Sequence, residues 1–89
     1  MSASATEDKP APVDDEEFRS RLQELPPSAK LVAKVLEIDS PLSQGELADK
    51  SLLPDRTVRY ALNRLDEQHL VDSRYSFEDA RKQVYYLAG

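Results

Sequence analysis

Arg56, Arg59, Tyr60 and Asn63 fall within eight residues, at a spacing that puts them on one side of a helix. A guanidinium can fork onto guanine, a carboxamide can pair with adenine, and a phenol can hydrogen-bond a phosphate or stack. The intervening Val58, Ala61, Leu62 and Leu65 follow the i, i+3, i+4, i+7 pattern of an apolar stripe. One helix therefore has a dry side for packing and a wet side whose groups suit the major groove of a duplex. Thr57 belongs to the opening turn of the same helix. Tyr60 has a second reading, as a ring that simply covers the domain. Arg64 lies off the wet side, where pairing with Asp66 or Glu67 competes with a phosphate contact.

That helix must be held by the segment before it. Ser43 stands three residues ahead of Glu46, the spacing of a capping box in which each side chain serves an amide near the other. Capping is the plain role of this pair. A phosphate contact from Ser43 or Gln44 is compatible with it, because amides at a helix N-terminus attract anions. Leu47 and Ala48 point inward, and Leu52 or Leu53 closes the turn. Pro54 cannot continue the first helix but suits the start of the second, and Asp55 complements the positive end of its dipole. Helices over residues 43–52 and 55–68 give a helix-turn-helix, with double-stranded DNA as the expected partner.

The rest of the chain divides by composition and period. Residues 1–14 are Ala, Ser, Pro, Thr and acid with little to bury, and are expected to be a disordered acidic leader. Residues 15–89 form the domain. Phe18, Leu22 and Leu25 share one side of a helix predicted over 15–25, which packs on its own domain or serves as a dimerisation arm. Ser28 is expected to cap a helix over 28–38, with Leu31, Val32, Val35, Leu36 and Ile38 as its apolar face. Ser40, Pro41 and Leu42 leave room for a small strand. From residue 70 to 87 the period changes: Leu70 to Phe77 and Gln83 to Leu87 are rich in β-branched and aromatic residues around a polar loop at 78–82. Half of the aromatics at Tyr75, Phe77, Tyr85 and Tyr86 should face the core and half the surface.

The 89 residues carry a net charge of -5 and no cysteine. Disulfides and cysteine-ligated zinc are therefore excluded. No apolar run has the length of a membrane span, and the N-terminus lacks the apolar stretch of a signal peptide, so a cytoplasmic location away from membranes is expected. Most of the acid excess lies in residues 1–25, where seven acids face three bases; residues 26–89 hold ten acids and nine bases. Local field rather than net charge governs a phosphate contact, yet this balance predicts weak non-specific DNA binding. Such an acidic, lysine-poor chain also resembles proteins of salt-loving organisms.

The order helix, short strand, helix, helix, strand, strand is that of a winged helix. The expected class is α+β, mostly α: a winged helix-turn-helix with a three-helix core, a two-stranded β wing and room for an extra N-terminal helix. Residues 53–71, with Asp79, Ala80 and Arg81 followed by Val84 and Leu87, resemble winged-helix transcription regulators of the multiple-antibiotic-resistance-regulator (MarR) type. The resemblance covers residues 28–88. It implies that the second helix of the motif enters the major groove through Arg56, Thr57, Arg59, Tyr60 and Asn63. It further implies that Arg81 reaches the minor groove, with Lys82 beside it and Asp79 orienting the guanidinium. A thin loop with a cationic tip suits a narrow groove of enhanced negative potential. Two departures from the family pattern stand out. His69 occupies a position where relatives usually have glycine, and the long flanking helices of dimerisation and effector binding are not in these 89 residues. Homodimerisation is therefore left open.

His69 is the sole histidine. It suits a left-handed helix end better than most side chains and complements the negative helix terminus, whereas metal or acid-base work would need a second group nearby. There is no nucleophile elbow, phosphate-binding glycine loop or metal-ligand cluster, so neither an enzyme nor a resident cofactor is expected. The competing reading is a winged helix used as a protein-interaction module within a larger complex. The net acidity favours that reading, and the uninterrupted wet face favours DNA.

Overall fold

A computed structural model describes residues 14–88; the expected leader falls outside them, apart from Asp14. The elements are α1 (Asp15–Gln23), α2 (Pro27–Ile38), β1 (Leu42–Ser43), α3 (Gln44–Ser51), α4 (Asp55–Glu67), β2 (Val71–Tyr75) and β3 (Gln83–Leu87). The sheet is antiparallel with strand order β1-β3-β2. The expected two-stranded wing is thus a three-stranded sheet: Leu42 and Ser43 pair with Tyr85 and Val84. Two residues suffice for this because β3 already offers a free edge to them.

The core is one cluster. Val58, Ala61, Leu62 and Leu65 of α4 join Ala29, Val32, Ala33 and Leu36 of α2, with Leu25, Leu42, Leu47, Leu70 and Val71 around them. The expected stripe of α4 is the buried one, and all four of its members are at most 5% exposed. The stripe of α2 differs from the expectation. Leu31 and Ile38 are 40% and 77% exposed. They stand seven residues apart and off the i, i+3, i+4, i+7 series that begins at Ala29, so helical phase turns them outward despite their apolar type.

The helix ends also refine the reading. Pro27 opens α2 with Pro26 as its N-cap, and Ser28 lies inside the first turn without a capping role. Proline suits the first position because the amide it lacks would have no partner within the helix, and its φ is already helical. Asp14 caps α1 by accepting from the Glu17 amide at 2.8 Å. Helix α1 ends at Gln23 rather than Leu25, and Leu25 folds in behind it, 4% exposed. Phe18 and Leu22 pack against the core. The Arg21 guanidinium donates to the Gln68 carbonyl at 2.9 Å, tying α1 to the far end of α4.

Both turns around α4 use left-handed residues that are not glycine: Leu52 at φ 64° and His69 at φ 60°. Leu52 is 88% exposed, and Leu53 is the one that packs inward. After α4, the His69 amide donates to the Asp66 carbonyl and the Leu70 amide to the Leu65 carbonyl, each at 2.9 Å. This is a Schellman ending with the expected histidine at its left-handed position, and buried Leu65 and Leu70 supply the apolar contact that accompanies it. Strand β2 stops at Tyr75, so Phe77 belongs to the loop and is 97% exposed. Tyr75 is exposed as well, while Tyr85 packs on the core.

Removing Leu65, fully buried at the centre of this cluster, should cost about 2 to 5 kcal/mol as Leu65→Ala. Ile38→Ala should cost well under 1 kcal/mol by comparison. Denaturant titrations of the two variants test the assignment, and an equal loss in both would show that Ile38 is packed.

Candidate nucleic-acid interface

Helix α4 presents its exposed side away from α2. Arg56, Arg59, Tyr60 and Asn63 are all exposed there, and Thr57 is half-buried. Arg59 and Asn63 line a groove between α4 and the sheet, together with Gln44, Asp66 and Asp72. Asp66 stands three residues beyond Asn63 on the same helix, whereas Asp72 comes from β2. Asp72 reaches the groove because the chain reverses at His69 and sends β2 back along α4, a proximity that no short-range pattern encodes.

Ser43 and Glu46 form the expected capping box. The Glu46 amide donates to Ser43 Oγ at 3.2 Å, and the Ser43 amide donates to Glu46 Oε1 at 2.8 Å. The other carboxylate oxygen, Oε2, lies 3.5 Å from Lys82 Nζ. One side chain therefore closes the N-terminus of α3 and holds the root of the wing. The Ser43 amide, aided by Lys82, keeps the Glu46 carboxyl below its ordinary value of 4.5. Gln44 Nε2 donates to the Asp55 carbonyl at 3.3 Å, linking the first turn of α3 to that of α4.

Arg64 faces its own helix. Its Nη1 donates to Tyr60 Oη at 3.2 Å, the guanidinium sits 6.0 Å from the centroid of the Tyr60 ring, and Nε lies 3.3 Å from Glu67 Oε1. The last contact is an ion pair without an aligned hydrogen bond, since buried Nε has no hydrogen-bond partner among the described residues. Of the two roles weighed for Arg64, its geometry matches pairing with Glu67.

The wing loop spans residues 76–82 and is closed by Ser76 N–H donating to the Lys82 carbonyl at 2.8 Å. Asp79 Oδ1 accepts from the Arg81 amide at 3.0 Å and lies 3.5 Å from Arg81 Nε. The Arg81 side chain is 93% exposed, so the guanidinium is aimed by Asp79 yet open to solvent. Lys82 is 43% exposed and shared with Glu46. The Arg74 guanidinium lies 5.5 Å from the Phe77 ring centroid, adding a third cation to the wing. Its place within a strand leaves Arg74 without a pattern that marks it in the sequence. Its cross-strand partner Val84 is buried, and Arg74 itself remains exposed.

Among the described residues no group of His, Cys, Asp or Glu is arranged to hold a metal ion, and no helix is long and apolar enough to cross a membrane. No family model and no curated protein matches the sequence. Solved structures do match the fold. The Staphylococcus aureus MepR–DNA complex superposes with a TM-score of 0.67 at 18% identity, over 78% of this chain and 59% of that one. A MarR family transcription regulator gives 0.68 at 18% identity, over 79% and 47%. A Lactococcus lactis ZitR variant gives 0.68 at 23% identity, over 72% and 43%. The chain has the winged-helix fold of MarR-type regulators, and it spans about half the length of the structures it matches.

Because folding lowers the Glu46 pKa, this carboxylate adds stability above its unfolded value, and that contribution is lost as pH falls through the lower folded value. The Glu46→Gln variant should therefore melt below the parent at pH 7, and the gap should narrow as pH drops from about 5 toward 3. A gap that stays constant over that range would deny Glu46 the clamp role.

Proposed function

We propose that this chain is a transcriptional regulator of the MarR type that binds double-stranded DNA sequence-specifically, with α4 in the major groove and the wing in the minor groove. The observation that carries the reading is the exposed Arg56, Arg59, Tyr60 and Asn63 on the side of α4 opposite its buried stripe. Arginine and asparagine there match guanine and adenine edges. Exposed Arg81, braced by Asp79, is the minor-groove element. Ser43, Gln44, Thr57 and Lys82 serve phosphates from the helix ends and the wing root. A solved neighbour, MepR, is described in complex with DNA, which supports the same use of this fold.

The reading assigns no catalysis and no cofactor, and a cytoplasmic location. It includes a homodimer, since two copies would offer two α4 helices to half-sites about one helical turn apart. A second reading, a protein-docking module, draws on the 97% exposed Phe77 and on the acids Asp66 and Asp72 beside the α4 groove.

Titration into labelled duplex across a salt series separates the two. Binding should weaken as salt rises, and Arg56→Ala should flatten the log–log slope by roughly one unit if it removes one phosphate contact. Asn63→Ala and Arg59→Ala should each cost about 1 to 3 kcal/mol on a preferred site and little on random duplex. Equal losses on every sequence would reassign them to phosphate contact. Arg81→Ala should fold as the parent does yet lose preference for A·T-rich flanks. If Arg81→Ala binds all duplexes as the parent does, the wing is free for a protein partner and the docking reading takes over.

A further inference from the structure

Tyr60, Arg64 and Glu67 form a short relay along one side of α4, each within reach of the next. A phenol has one proton to donate, and conjugation with the ring keeps it in the ring plane. Two in-plane positions thus surround the oxygen, one for the proton and one for an incoming donor. A guanidinium can only donate. Arg64 Nη1 donates to Tyr60 Oη at 3.2 Å and so occupies the accepting position. The Tyr60 proton is then directed elsewhere, and the ring is 46% exposed on the outer side of the helix. Glu67, 3.3 Å from Arg64 Nε, holds the guanidinium in place by charge.

We propose that Arg64 is a positioning residue that makes Tyr60 a one-way hydrogen-bond donor toward the duplex. The inference rests on the DNA-binding reading above. Tyr60 then selects an acceptor: a phosphate oxygen, or guanine O6 or N7, adenine N7 or thymine O4 in the major groove. It does not accept from the amino groups of cytosine or adenine. Arg64 acts on DNA through Tyr60, and the hydroxyl is polarised by the cation behind it.

Tyr60→Phe, Arg64→Met, their double variant and Arg64→Lys, each checked by thermal melting, test the proposal. Affinities are measured on duplexes selected by the parent from a randomised pool, with Arg56→Ala as an independent reporter of DNA binding. Tyr60→Phe and Arg64→Met should each weaken binding about 3- to 10-fold, the range of one net hydrogen bond. The double variant should be no weaker than either single, and Arg64→Lys, still a donor, should recover most of the loss. Without DNA, the Arg64 Nη protons should be resolved by NMR in the parent and averaged in Tyr60→Phe. Additive losses overturn the proposal. So does an unchanged Tyr60→Phe affinity on a duplex that Arg56→Ala binds poorly, which leaves the DNA reading intact. A parent that binds no duplex while its Arg64 protons stay resolved overturns both.

Discussion

Val58, Ala61, Leu62 and Leu65 share one buried cluster with Ala29, Val32, Ala33 and Leu36, and that packing fixes the rotation of α4 about its own axis. Successive residues on a helix are turned by about 100°. A slip of one residue would carry Arg59 into the core and put Val58 in water. Burying an unpaired guanidinium costs far more than exposing a valine, so one register dominates. Everything on the outer side of α4 inherits its direction from this apolar contact. The hydrogen-bonding face is therefore set by side chains buried on the opposite side of the helix.

The sheet contributes a second constraint. Glu46 spends one oxygen on the cap of α3 and the other on Lys82, so the start of the helix-turn-helix and the root of the wing share a carboxylate. Strand β1 reinforces the joint, because Ser43 both caps α3 and pairs with Val84 of β3. Gln44 extends it to the first turn of α4 through the Asp55 carbonyl. Wing and helices are thus joined near one helix end, and the loop carrying Arg81 is left to project. The same economy makes Lys82 a weaker candidate for DNA than Arg81, since its charge is partly answered within the protein.

Much of this was legible in the sequence where local rules act alone. The stripe of α4, the Ser43 and Glu46 box and the left-handed His69 follow from spacing, side-chain reach and backbone sterics, and all three stand in the structure. Phase explains the error on α2: residue type marked Leu31 and Ile38 as core, whereas only the series through Ala29, Val32, Ala33 and Leu36 shares one side. Pro27 displaced Ser28 as the start of α2 because a fixed φ outweighs a side-chain cap. The groove carboxylates of Asp66 and Asp72, the Gln44 link and the Arg64 to Tyr60 bond depend on tertiary approach or on one rotamer among several. Helical period puts Asp66 near Asn63 and Arg64 near Tyr60, but it encodes neither the approach of Asp72 and Gln44 nor the rotamer that makes the bond.

The two left-handed turns flanking α4 carry a consequence for how the domain comes together. Leucine and histidine each prefer other backbone conformations, by about 1 to 2 kcal/mol for an ordinary side chain. Glycine would hold the same dihedrals freely, but it would also widen the unfolded ensemble. Leu52 and His69 hold those conformations because hydrogen bonds at the helix ends and the packing of neighbouring leucines offset the cost. The angle between α3 and α4 is accordingly a collective property, reached only when Leu47, Leu53, Leu65 and Leu70 close upon one another. The outer face of α4 thus takes its direction from the same packing that closes the core.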